Sequence, residues 1–224
     1  MFDNVAPTYD ILNRVLSLRI DVYWRKYAIN LLRKDNPQQI LDIATGTGDV
    51  ALALQNQLKP EHIIGLDLSQ QMLNVGIEKV KKAGFSHHID MIQGDSENLP
   101  FENNKFDAIT VAYGVRNFEN LEKGLREMQR VLRPGGKLCV IEFSQPKIFP
   151  VKQLFGLYFR YILPTIGRLT SKDARAYSYL YESVQAFPDG QNFMAILEKC
   201  GFTDPEWHPL TFGICSVYMA SVSK

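Results

Sequence analysis

The sequence predicts an α/β fold: a mostly parallel β-sheet covered by helices on both faces. Three observations carry this. From about residue 40 to 145, short apolar runs alternate with stretches of helical period, which is the strand–helix–strand signature of parallel sheets. The runs are continuous, without polar alternation, as strands buried on both faces are. A glycine-rich turn follows the first run directly, where such sheets bind ligands.

The first strand covers residues 40–44 and ends in Thr45-Gly46. Residues 49–58 follow as a helix, with Val50, Leu52, Ala53, Leu54 and Leu58 supplying its apolar positions. The second strand is 63–68, and Ser69 is placed to cap the next helix. Residues 89–93 and 106–112 are the third and fourth strands. A helix over 121–132 is closed by Arg133-Pro134-Gly135-Gly136, and 137–143 is the fifth strand. A helix at about 192–199, a turn at Gly201, and strands near 206–210 and 214–221 complete the core. Two segments flank it. Residues 1–35 read as a helical lid with one stripe formed by Tyr23, Trp24, Tyr27, Leu31 and Leu32. Residues 146–190 are punctuated by Pro146, Pro150, Pro164 and Pro188 and crowded with aromatics, and read as a cover over the sheet's edge.

The 224 residues, 46% hydrophobic, suit one domain with a lid and can bury a core without staples. With 25 basic and 24 acidic side chains the net charge is +1, so no global field draws the chain onto nucleic acid. Cys139, Cys200 and Cys215 are scattered and odd in number, which reads as structural thiols in a reducing compartment. His62, His87, His88 and His208 lack metal-ligand spacing, and no metal is expected. The start carries no basic, apolar leader, and no run approaches the roughly 20 apolar residues of a membrane span. The expectation is a soluble, cytoplasmic chain with transient contact to a membrane surface.

The loop Asp42-Ile43-Ala44-Thr45-Gly46-Thr47-Gly48-Asp49 joins the first strand to the first helix. Its glycines permit a sharp turn and a close-lying ligand. They also fit a dinucleotide fingerprint, Gly46-x-Gly48-x-x-Ala51. The acids discriminate. A pyrophosphate wants bare amides at a helix N-terminus, and carboxylates at Asp42 and Asp49 would repel it. They suit a ligand with an ammonium group; S-adenosyl-L-methionine has one, and a sulfonium besides. Asp67, at the end of the second strand with Leu68 beside it, is placed to accept both hydroxyls of a ribose. After the third strand, Asp95 and Ser96 are placed to meet an adenine amino group, with Leu99 and Phe101 available for packing.

Further motifs run along nearly the whole chain. They are the segment 1–13 (MFDNVAPTYDILN), Trp24-Arg25, the 42–49 loop, Tyr113-Gly114-Val115-Arg116-Asn117, the segment 130–136, Glu142-Phe143-Ser144-Gln145-Pro146 and the segment 177–184 (YSYLYESV). On these the chain resembles the ubiquinone/menaquinone biosynthesis C-methyltransferases, most closely the demethylmenaquinone methyltransferase group. The resemblance implies a Rossmann-like class I methyltransferase fold with seven strands in the order 3-2-1-4-5-7-6, the last antiparallel. It implies S-adenosyl-L-methionine as cofactor, held at Thr47, Asp67, Asp95 and Ser96. It also points to Ala112, where the family often has serine. Arg19 stands where a glycine is common.

The implied substrate is a lipophilic polyprenyl quinol, demethylmenaquinol, methylated at a ring carbon to menaquinol. A quinol carbon is a weak nucleophile, so a base or an oxyanion stabiliser is wanted. Arg116 stays protonated and is a candidate electrostatic stabiliser, with a salt-bridged structural arginine as the competing reading; Asn117 stands beside it. Tyr9, Asp10 and Tyr177 are candidates to bind or deprotonate the hydroxyl, and His208 is a weaker one. Phe155, Tyr158, Phe159 and Ile162 form an apolar helical face, with Lys152, Arg160 and Arg168 supplying cations. Such a helix suits a lid, a tail tunnel or a membrane interface. The alternatives are C-methylation of a benzoquinol precursor or another lipophilic phenol, and, in a different class, an NAD-dependent oxidoreductase or a non-catalytic cofactor-binding protein. A homodimer is a further possibility.

Overall fold

The computed structural model describes Ser17 and residues 19–162 and 175–224; the side chains of Phe159, Ile162 and residues 175–178 lie outside it. Seven strands form one sheet: β1 (Gln39–Ile43), β2 (His62–Asp67), β3 (Ile89–Gln93), β4 (Phe106–Ala112), β5 (Leu132–Phe143), β6 (Phe202–Leu210) and β7 (Cys215–Val222). Their order is β3-β2-β1-β4-β5-β7-β6, with β7 antiparallel to both neighbours. This is the order the resemblance implied.

The continuous apolar runs are explained by burial on both faces. Along β1, Ile40 enters one cluster and Leu41 and Ile43 the other. In β7, Val217 and Met219 face one side, and Tyr218 and Ala220 the other. Helices α1 (Ile20–Leu32), α2 (Asp49–Leu58) and α3 (Gln70–Lys82) supply the first layer. Helix α4 (Leu121–Val131) supplies Leu125, Met128 and Val131 to the opposite layer. Between β5 and β6 lie α5 (Val151–Leu157), a π-turn over Tyr158–Ile162, α6 (Arg175–Ala186) and α7 (Gln191–Lys199), of which α7 joins that opposite layer through Phe193 and Leu197.

Three expectations change. Helix α1 is a core helix more than a lid: Trp24, Ala28, Ile29 and Leu32 bury against the sheet, while Tyr23 is exposed. Ala28 has the small side chain that a close helix–sheet approach needs, so the buried face is turned by one residue from the predicted stripe. Residues 133–136 do not end the helix as a free turn. Helix α4 passes straight into β5, and Phe106 pairs with Leu132 while Ala108 pairs with Lys137, so Pro134-Gly135-Gly136 bulge out of the ladder. Strand β6 starts at Phe202, ahead of Pro205; a second irregularity separates Thr203 from Glu206. Proline is tolerated there because β6 is an edge strand.

Tyr218 ties the last strand to the entry of α7. It is buried, packs edge-on against Phe193 at 4.8 Å, and its hydroxyl accepts the Gly190 amide at 2.7 Å. Tyr218→Phe strands that amide, and urea unfolding is expected to show a loss of about 1–3 kcal/mol with unchanged helix content.

Candidate active site

Strand order reverses between β1 and β4, and ligand crevices in such sheets open outside the carboxyl ends there. Asp42 sits on β1 opposite Thr110 of β4. Asp42 is 1% exposed, and its carboxylate accepts hydroxyl hydrogen bonds from Thr45 and from Thr110, both at 2.6 Å. Burial pushes its pKa up to about 6, against the pull of the Thr110 and Thr45 hydroxyls. Beyond it the chain takes positive φ at Ala44, Gly46 and Gly48. A side chain on Gly46 would meet nothing within 4 Å, so the loop crest faces open space.

Asp67 holds that crest. One carboxylate oxygen accepts the Gly46 amide at 2.8 Å, the other the Ser69 amide at 2.8 Å. Leu68, next in the chain, is 66% exposed. Ser69 caps α3 through the Met72 amide, as predicted. After β3, Asp95 is exposed and accepts the Glu97 amide at 2.8 Å, Ser96 is buried beside it, and Leu99 and Phe101 pack into the core. Ala112 closes β4, half-buried.

Asp42 and Asp49, the acids that bracket the loop, both have partners within the protein. Asp42 is enclosed by two threonines. Asp49 is ion-paired with Lys79 and lies 3.6 Å from Arg25, which also pairs with Asp21 at 2.7 Å. Lys79 further donates to the Thr47 hydroxyl at 3.2 Å. Both acids therefore brace the loop from behind. Lys79, Arg25 and Thr110 were missed, because nothing in the spacing of a loop shows which distant helix or strand faces it.

The second half of the site surrounds β4 and β5. Tyr113 follows β4 at positive φ, and a Cβ on Gly114 would meet the Ala44 Cβ at 2.5 Å, so only glycine lets the two strand ends close on each other. Arg116 follows in a short turn. Its side chain is 8% exposed and pairs with the fully buried Glu142 at 2.6 Å. The same nitrogen donates to the Tyr113 carbonyl at 2.6 Å, and the guanidinium stacks 5.7 Å from the Phe143 ring. The Arg116 Nε is buried with no partner among the described residues. Burial pushes the Glu142 pKa up; Arg116 and the Phe143 amide pull it back. The Arg116 charge is thus balanced within the protein, which is the salt-bridged reading. Asn117 donates to the Tyr113 carbonyl at 3.3 Å and accepts from the Tyr179 hydroxyl of α6 at 3.1 Å. Helix α6 is latched over the strand ends by that contact.

Glu142 and Tyr179 were missed as site residues. A carboxylate at the end of a buried strand needs a partner, and that signal was present at Glu142 as it was at Asp42. Tyr9 and Asp10 lie outside the described residues, as does the Tyr177 side chain. His208 sits on edge strand β6 between the Tyr27 hydroxyl at 3.3 Å and Glu206 at 3.2 Å, a structural pairing and not a base at the crevice.

The open crest at Gly46, the Asp67 carboxylate that holds it, the exposed Leu68 and the Asp95-Ser96 turn fit a nucleoside with a polar tail. Sheet order and crest together define a methyltransferase of the Rossmann-like class. Solved structures agree on the fold. A putative S-adenosyl-L-methionine-dependent methyltransferase from Methanococcus maripaludis matches with a TM-score of 0.69 and 20% identity, covering 100% of this chain and 95% of that one. Phosphoethanolamine N-methyltransferase 2 from Haemonchus contortus, in complex with S-adenosyl-L-methionine, matches at 0.65 and 17%, covering 89% and 53%. The model of the ubiE/COQ5 methyltransferase family matches residues 1–222, and the chain belongs to that family. The demethylmenaquinone methyltransferase of Bacteroides fragilis is 52% identical over 221 residues, 99% of this chain and 90% of the relative. The ubiquinone/menaquinone biosynthesis C-methyltransferase UbiE of Geotalea daltonii is 43% identical, over 97% and 93%.

Asp42 gives the site a pH signature. Its folded pKa of about 6 lies above the ordinary 3.8, so the stability carried by its proton is present at low pH and lost as pH rises through about 6. Asp42→Asn cannot ionise. Between about pH 4 and 7, the unfolding free energy of the wild type should fall relative to that variant, by up to about 3 kcal/mol in urea titrations.

Proposed function

We propose that this methyltransferase moves the methyl group of S-adenosyl-L-methionine to a ring carbon of demethylmenaquinol, giving menaquinol and S-adenosylhomocysteine, with the ring proton lost to solvent. The observation that carries the donor is the Gly46 crest held open by Asp67 beside the exposed Leu68. The acceptor is taken from the relative that shares 52% of its residues along almost the whole chain. When bound, the donor supplies an electrophilic methyl on sulfur.

The chain's own residues then bind, orient and exclude water. The Asp67 carboxylate stands at the loop crest for the ribose hydroxyls, Leu68 offers an apolar face for adenine, and Asp95 and Ser96 are placed for its amino group. Thr47, Gly48 and the end of Ala112 shape the tail's berth, with Asp49 behind it. On the acceptor side, Arg116 is a positioning residue. Paired with Glu142, it fixes the Tyr113 carbonyl, and through it Asn117 and the Tyr179 latch. Methyl transfer depends on alignment and dryness, and this latch holds α6 over the strand ends. Tyr9, Asp10 and Tyr177 are the groups proposed to bind the quinol hydroxyl and take its proton.

Incubation with labelled S-adenosyl-L-methionine and either reduced naphthoquinone or reduced benzoquinone, followed by mass analysis, tests the reading. A methylated naphthoquinol is expected; a methylated benzoquinol alone moves the assignment to the ubiquinone precursor, and no product from either refutes both. The ion pair makes a second prediction. Arg116→Ala leaves a buried, unpaired carboxylate and is expected to cost about 3–5 kcal/mol of stability. The paired change Arg116→Leu with Glu142→Leu should recover most of that in denaturation, while turnover remains at least about tenfold down, a loss of about 1.4 kcal/mol in barrier lowering.

A further inference from the structure

The segment that follows β5 carries an exposed apolar surface which the methyl-transfer chemistry does not use. Ile148, Phe149, Leu154 and Leu157 are 54 to 77% exposed. Leu154 and Leu157 share one face of α5, three residues apart, while Phe155 points the other way into a small core with Val184. Phe212, 69% exposed, joins them from the β6–β7 loop. That loop lies against the same segment: the Ser144 hydroxyl donates to the Gly213 carbonyl at 2.9 Å, and a Cβ on Gly213 would reach the Pro146 Cα at 3.6 Å. Single exposed apolar residues are ordinary, but a cluster on one segment marks an interaction site.

Charge says what covers it. Residues 144–162 contain Lys147, Lys152 and Arg160 and no aspartate or glutamate, in a chain whose net charge is only +1. Long basic side chains reach past an apolar face to keep their charge in a headgroup layer. Among the described residues no helix is long and apolar enough to cross a membrane, so this surface can lie on a bilayer without spanning it. We infer that Ile148, Phe149, Leu154, Leu157 and Phe212 insert into the outer layer of an anionic lipid bilayer, with Lys147, Lys152 and Arg160 on its headgroups. The surface lies at the carboxyl ends of β5 and β6, the end of the sheet that carries the crevice. Its purpose, bringing the crevice to a substrate dissolved in lipid, rests on the quinol reading; its physical case does not.

Sedimentation of the full chain with vesicles of phosphatidylcholine, with and without phosphatidylglycerol, tests it. Binding to the anionic vesicles should be at least about tenfold tighter than to neutral ones and should weaken as salt rises. Phe149→Glu with Leu157→Glu, and separately Lys152→Glu with Arg160→Glu, should each weaken it by at least about tenfold. Neither pair should alter the melting temperature or methyl transfer to a water-soluble quinol without a tail. Binding that ignores lipid charge, or that survives both pairs, overturns the inference. So does a chain that sediments as a dimer and becomes a monomer with the apolar pair, because the surface is then a self-interface. Vesicle binding as described with no methylated quinol leaves the surface standing and removes the quinol reading; the reverse result separates them the other way.

Discussion

A carboxylate inside a packed sheet must be satisfied on the spot, and the way Asp42 is satisfied organises this protein. Asp42 lies on β1 at the seam where strand order reverses. One oxygen takes the hydroxyl of Thr110 from β4, across the seam, and the other takes Thr45 from the loop above. A single buried group thus fixes the distance between two strands and the start of the turn that follows them. The loop then rises through positive φ at Ala44, Gly46 and Gly48. At its crest a second carboxylate, Asp67 from the neighbouring strand, takes the Gly46 amide. Two carboxylates from two strands define the loop between them. In a low-dielectric interior each hydrogen bond is strengthened and each unmade one is costly, so this arrangement tolerates little slack.

The same logic recurs at the other end of the crevice. Glu142 is fully buried at the end of β5, and Arg116 compensates it across the Tyr113–Asn117 turn. Removing one partner of such a pair costs far more than the pair contributes. The pair therefore specifies geometry more than it adds stability. What it specifies is visible: the shared Tyr113 carbonyl, the Asn117 amide that also reaches it, and the Tyr179 hydroxyl bound to that amide. Gly114 admits this turn because any side chain there would strike Ala44 of the first loop. The two halves of the crevice are in contact at that point.

Much of this was legible in the sequence for a physical reason. Parallel strands buried on both faces leave apolar runs, and a ligand loop leaves glycines, so five strands and the loop could be read directly. What failed was information that spacing does not hold. Pro205 hid the first half of β6, because tolerance of proline depends on a strand being at the edge, and edges are a property of the sheet. The partners of Asp49 are not legible in the sequence, because Lys79, thirty residues on, and Arg25, on a helix before β1, are neighbours only in space. The sequence leaves Arg116 between an electrostatic stabiliser and a salt-bridged arginine for the same reason; its partner lies 26 residues away. Glu142 differs. Its position at the end of an apolar run already implies a partner.

The charges of the crevice therefore sort by depth. Asp49, Arg116 and Glu142 are ion-paired within the protein, Asp42 is held by two threonine hydroxyls, and all four brace the loops around them. Asp67 and Asp95, at the outer ends of β2 and β3, accept backbone amides at the loop crest and in the turn after β3. The acids of the loop act on the fold, and their partners, distant in sequence, are legible only in the structure.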